Sequence, residues 1–154
     1  MHAFFLAIEQ SGLSLWMRED PYAYFIALIF HAFGMALLAG GGIAICLRLL
    51  GVARGAALEK FRRFLPVLWI GAALAIVSGV LLLLAYPAKA LTNPLFAVKL
   101  LCLLVAALLL RALLREGAPA RRVRPLAALA LLLWIAGVAS GKLLLHTYTV
   151  LTVG

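Results

Sequence analysis

Four ionisable side chains lie inside long apolar stretches of this sequence, where a charge is costly and by default points to a function. They are two histidines and two lysines: His31, Lys99, Lys142 and His146. Neutral imidazole is the commonest protein ligand for a metal ion, so two imidazoles on facing helices can hold one metal between them. Ammonium groups beside such a centre can neutralise acidic groups of a bound molecule. Whether they do so depends on the elements that carry them.

Four apolar runs carry these residues. Hydrophobic types make up 67% of the 154 residues and charged types 12%, whereas soluble domains hold about 45–50% and about 25%. Each run has about the 20 residues that a spanning helix needs, and only helices satisfy their own backbone in lipid at this length. We expect an all-α integral membrane protein, an up-down four-helix bundle in residues 21–154, preceded by a short amphipathic interfacial helix in residues 1–20. The predicted spanning helices are about 22–50, 64–86, 94–114 and 126–150.

The excess of basic residues, a net charge of +9, predicts orientation and not nucleic-acid binding. Basic residues concentrate in the cytoplasmic loops of membrane proteins. The two loops after the first and third helices, with the helix ends beside them, hold most of the cations. We therefore expect a multi-pass protein of the bacterial inner membrane with both termini periplasmic. The cations on the predicted cytoplasmic side are Arg48, Arg54, Lys60, Arg62, Arg63, Arg111, Arg115, Arg121, Arg122 and Arg124.

In this orientation all four intramembrane groups fall in the outer half of the bilayer. At a rise of about 1.5 Å per residue, His31 lies roughly 8–13 Å and Lys99 about 7 Å inside their helices. Lys142 and His146 stand one helical turn apart near the outward end of the last helix, on one face. The sequence therefore predicts a shared polar site near the outer surface.

This arrangement favours a b-type haem. His31 and His146 would be its axial ligands, and Lys99 and Lys142 would meet its propionates or a quinone. Trp134 would form a wall of the site. Gly34, Gly41 and Gly42 would leave room for the macrocycle, although helix packing is the stronger interpretation of these glycines.

Other chemistries lack their residues. No Asp or Glu lies inside a predicted spanning helix, which weakens proton-pump and carboxylate-coupled transport functions. No CxxCH, P-loop, dinucleotide fingerprint or HExxH motif occurs. Cys46 and Cys102 lie at different depths, so we expect small packing residues and no disulfide between them.

Four short segments carry a resemblance to known proteins. They are HAFGMALLAGGG from His31, LRLLG from Leu47, NPLFAVKL from Asn93 and LWIAGVASGK from Leu133. Together they resemble a family of small four-helix bacterial inner-membrane proteins, similar in layout to the membrane domain of copper-resistance D proteins and to four-helix b-type cytochromes. The resemblance implies functional positions at His31, Lys99 and Lys142.

The expected function is that of a haem-b electron-transfer protein or subunit, more than a stand-alone enzyme. Its haem would lie in the outer leaflet and exchange electrons with a periplasmic redox partner, the quinone pool or a larger complex. One alternative is a cofactor-free accessory subunit of a larger membrane complex. Another is copper binding or copper uptake, with softer or additional ligands beside His31 and His146. The additional copper ligands would be Met17, Met35 or His2.

Overall fold

The protein's structure is a computed structural model that describes residues 7–52, 63–114 and 120–151. Within these ranges the side chains at positions 89, 120 and 145–151 are outside the description. The described residues form helices joined by turns, and no strand occurs among them. The helices are α1 Gly12–Glu19, α2 Ala23–Leu50, α3 Leu65–Ala85, α4 Pro87–Leu91, α5 Pro94–Leu114 and α6 Ala120–Leu151.

Four of these helices, α2, α3, α5 and α6, are long and apolar enough to cross a membrane. This confirms the prediction of an all-helical chain with four such helices. The fourth begins at Ala120, earlier than the predicted 126, so that Pro125 lies inside it. Proline has no N–H to donate, so Pro125, the sixth residue of this helix, lacks the backbone hydrogen bond to residue 121 that its position would otherwise make.

Local side-chain and backbone chemistry marks where the long helices begin and end. The carboxylate of Asp20 accepts the backbone N–H of Ala23 at 2.9 Å, at the start of α2. α2 ends at Leu50, and the next residue, Gly51, has a φ of 99°, the left-handed conformation that glycine adopts most readily. The side chain of Asn93 accepts the N–H of Leu95 at 2.9 Å and caps α5.

Two antiparallel hairpins build the bundle. In the first, a Cβ added to Gly34 of α2 would lie 2.5 Å from the backbone nitrogen of Ala75 in α3. Further along α2, Gly41 meets Leu68, nearer the start of α3, so the two helices run in opposite directions. In the second hairpin, Gly137 of α6 packs in the same manner against Leu103 of α5. Small residues thus let both helix pairs approach closely.

The hairpins join through α2 and α6. Gly42 of α2 lies against the indole of Trp134 in α6, and a Cβ at Gly42 would fall 2.4 Å from a ring carbon. Trp134 is buried, with 1% of its surface exposed. It anchors the main apolar core, which also contains Ala39, Ile45, Cys46, Leu68, Ala106, Leu110 and Ala130.

The short helix α1 packs across the end of the first hairpin. Its Met17 is buried against Ala23, Ala27 and Ala85. On its other side, Leu13 and Trp16 are exposed. We call the end of the bundle at which α1 packs and α2 and α5 begin the α1 end.

Candidate functional site

His31 of α2 lies near the α1 end and is held by α3. Its Nδ1 is 3.0 Å from the backbone oxygen of Ala75 and 3.2 Å from the hydroxyl of Ser78. A carbonyl oxygen can only accept, so Nδ1 carries the proton and donates it. The Ser78 hydroxyl donates to the carbonyl of Leu74, which leaves its oxygen able to accept as well. The tautomer is therefore set by α3, and Nε2 keeps its lone pair.

Lys99 of α5 lies at that lone pair. Its Nζ is 3.3 Å from Nε2 of His31, across 68 residues of sequence. An ammonium group can only donate, so it donates to Nε2. Both ring nitrogens of His31 thus have partners, one from each hairpin. The sequence predicts these two residues at similar depth, and the structure places them in contact.

Two glycines make space for the pair. A Cβ at Gly79 of α3 would lie 3.2 Å from Cε1 of His31, and a Cβ at Gly141 of α6 would lie 3.3 Å from the last three atoms of the Lys99 side chain. Each glycine follows a serine, Ser78 or Ser140, and lies in the second helix of its hairpin. Side chains from α2 and α5 therefore meet over glycines of α3 and α6, and all four long helices form the site.

The pair has an unusual charge balance. The sequence contains no Asp or Glu within the four long helices, so no carboxylate of these helices can face Lys99. The hydrogen-bond partner of the ammonium is an imidazole that accepts with a neutral nitrogen. A cation held inside a bundle by a neutral group keeps its affinity for an anion.

Of the other predicted site residues, Trp134 lies apart from this pair. Trp134 packs beside Gly42, eleven residues beyond His31 and hence about 16 Å along α2. Its indole nitrogen is buried without a hydrogen-bond partner. Lys142 is exposed on α6, next to Gly141. The backbone of His146 belongs to α6, but its side chain lies outside the described residues. Whether it approaches His31 stays a prediction.

The glycines proposed to clear space for a macrocycle are in contact with protein atoms. Gly34 meets the α3 backbone, Gly41 meets the side chain of Leu68, and Gly42 meets Trp134. These three positions serve helix packing. These glycines therefore leave no room for a macrocycle at their own positions.

Sequence reasoning missed the groups that orient the pair. The carbonyl of Ala75 could not be predicted from the sequence, because every residue has a backbone carbonyl and the residue type does not show which one accepts a hydrogen bond. Ser78 and Gly79, like Ser140 and Gly141, are small residues of the kind that helix packing favours, so their types alone do not indicate a role at the site. The Ser-Gly pair occurs in the second helix of both hairpins. This repetition is the sequence signal that could have indicated two long polar side chains packed against the glycines.

In comparisons with known proteins, no family model, curated protein or solved structure matches this chain. A functional conclusion must therefore come from the site itself. Among the residues that the structure describes, no three His, Cys, Asp or Glu side chains come close enough to hold a metal ion.

Proposed function

We propose that this chain is a multi-pass membrane protein that binds a b-type haem through Nε2 of His31 and serves as an electron-transfer subunit. The observation that carries the proposal is the hydrogen bond from Nδ1 of His31 to the carbonyl of Ala75. Histidines that ligate metals almost always donate their second ring nitrogen to such a group, which fixes the tautomer and makes the ligating nitrogen more basic.

The membrane part of the proposal is supported by the surface of the bundle. Large apolar side chains are exposed along every long helix, among them Phe33 at 64%, Trp69 at 67% and Leu132 at 64%. Four helices of spanning length with such faces fit a bilayer. Among the described residues, six arginines lie toward the end opposite the α1 end and Arg18 lies at the α1 end, so we assign the arginine-rich end to the cytoplasm and the site to the outer leaflet. The six are Arg48, Arg63, Arg111, Arg121, Arg122 and Arg124. Both termini are then periplasmic.

The Nε2 atom of His31 is a suitable ligand for haem iron, but the Lys99 side chain must move before iron can approach it. Lys99 has a flexible four-carbon stem, and its amine can turn toward the α1 end while the stem stays packed. Nε2 of His31 would then have its lone pair available to a ligand. Haem supplies reversible one-electron chemistry when bound. In this position it would exchange electrons with a quinone or a periplasmic partner at the same face of the membrane. His146 is the proposed second ligand.

The alternatives gain no comparable contact in the described residues. Copper uptake needs soft ligands near His31. Met17 of α1, however, is buried against Ala85, and Met35 of α2 packs against the main core. In a cofactor-free accessory role, His31 and Lys99 would form a structural hydrogen bond between the two hairpins.

The test is an optical spectrum of the full-length protein, purified in detergent from cells supplied with 5-aminolevulinate. We expect a Soret band, with sharp α and β bands after dithionite. His31→Gln keeps a polar side chain beside Ala75 but cannot ligate iron, so it should lose these bands while keeping its helical circular dichroism. His146→Gln should convert a low-spin spectrum to a high-spin one. A wild-type protein without a chromophore, or a His31→Gln spectrum like that of the wild type, would overturn the proposal.

A further inference from the structure

The ammonium of Lys99 lies where a metal would bind His31. We infer that Lys99 exchanges partners: it gives up Nε2 of His31 and takes a carboxylate of the ligand, so that the site selects porphyrins with free acid groups. This inference rests on the proposed function and adds to it a basis for ligand selection. It makes Lys99 a competitor for His31 as well as a partner of the ligand.

The competition follows from the lone pairs of one imidazole. Nδ1 of His31 is committed as a donor to Ala75, so Nε2 has the one lone pair available in the ring plane. The ammonium of Lys99, 3.3 Å away, takes that lone pair. A metal and the ammonium cannot share it. Every molecule that binds through Nε2 must therefore first displace Lys99.

The displaced ammonium needs an acceptor that the long helices do not supply. None of α2, α3, α5 or α6 contains an Asp or Glu. An unpaired ammonium in an apolar bundle is costly. A ligand that brings its own carboxylate removes this cost, because a charge-assisted hydrogen bond replaces the bond to Nε2. A ligand without an acid group removes the bond and offers nothing in return.

The surroundings of Lys99 allow the exchange. The residue lies five positions after Pro94, the first residue of α5, and so about 7.5 Å along the helix from the α1 end. Its side chain lies over Gly141, and the absence of a Cβ there, which would fall 3.3 Å from its last three atoms, gives the stem its room. Carboxylates at the edge of a macrocycle that faces the α1 end would be within reach of the amine.

The experiment compares two probes that differ only in their acid groups: haemin, and haemin dimethyl ester, whose carboxylates are blocked. Each is titrated into full-length protein in detergent, followed by the Soret shift and corrected with His31→Gln for partition into micelles. We expect the wild type to bind haemin about tenfold to a hundredfold more tightly than the ester, the range of one hydrogen bond to a charged group.

Lys99→Met keeps an unbranched apolar stem of similar length and removes the charge. In this variant we expect equal affinities for the two probes, and tighter binding of the ester than in the wild type, because Nε2 has lost its competitor. Arg111→Met is the matched control, since it removes an exposed cation from the opposite end of the same helix. It should keep the wild-type preference for haemin.

Equal binding of the two probes by the wild type would overturn the inference without needing a variant. So would a Lys99→Met protein that still prefers haemin. Failure of the proposed function looks different: neither probe would then give a Soret shift that depends on His31.

Discussion

Gly34 offers the sharpest test of how the bundle holds His31. A Cβ placed there by Gly34→Ala would lie 2.5 Å from the backbone nitrogen of Ala75 and 2.9 Å from the carbonyl oxygen of Gly71. Both obstacles are backbone atoms of α3, which cannot rotate away. An ordinary contact begins at 3.4 Å, so the two helices would have to separate locally by about 0.9 Å.

That separation sets the expected magnitude. Overpacking a well-packed contact costs about 1–3 kcal/mol, and an obstacle of backbone puts this substitution at the upper end. The same displacement would carry Nδ1 of His31 away from the carbonyl of Ala75, now at 3.0 Å, beyond the length of a good hydrogen bond. The variant should therefore lose stability and the orientation of His31 together.

Gly40→Ala is the matched control in the same helix. A Cβ at Gly40 would meet nothing within 4 Å, so the substitution should stabilise α2 by about 0.5–1 kcal/mol through backbone entropy. The assay is unfolding of both variants by sodium dodecyl sulfate in mild detergent, followed by far-ultraviolet circular dichroism. If Gly34→Ala proved as stable as Gly40→Ala, the close approach of α2 and α3 at Gly34 would be refuted.

Two further predictions concern the core. Trp134→Phe removes a buried indole N–H that lacks a partner, so it should lower the free energy of unfolding by less than about 1.5 kcal/mol in the same assay. Trp134→Ala should lower it by about 3–5 kcal/mol. Equal losses of stability in the two variants would contradict this prediction. Cys46 has 0% of its surface exposed and Cys102 is half-buried. A maleimide should therefore label Cys102 in the folded protein and Cys46 only after unfolding, as mass spectrometry of the peptides would show, and equal labelling rates would argue against the packing of Cys46.

Hydropathy predicts the number of long helices because burial in lipid demands an apolar run of a given length. It also predicts that His31 and Lys99 share a depth, since depth follows from counting residues along each helix. The rotation of each helix about its axis does not follow from such counting. It depends on which small residues let neighbouring helices approach, and those contacts join residues far apart in sequence.

The position of Trp134 shows the effect of this missing rotation. The sequence suggests a wall of the His31 site, whereas the structure places the ring against Gly42, deeper in the bundle. The glycine that accommodates it lies on another helix, and a sequence alone does not pair the two. The same limit applies to Lys99, whose contact with His31 depends on how the second hairpin docks.

The bond between His31 and Lys99 also imposes an order on the synthesis of the chain. Ala75 follows His31 by 44 residues, whereas Lys99 follows it by 68. At about 5–20 residues per second, the ribosome therefore adds the group that orients the imidazole about one to five seconds before it adds the lysine. During this interval the first hairpin can present Nε2 with no ammonium beside it. The imidazole of a nascent first hairpin is thus oriented by α3 before its Nε2 acquires a partner from the second hairpin.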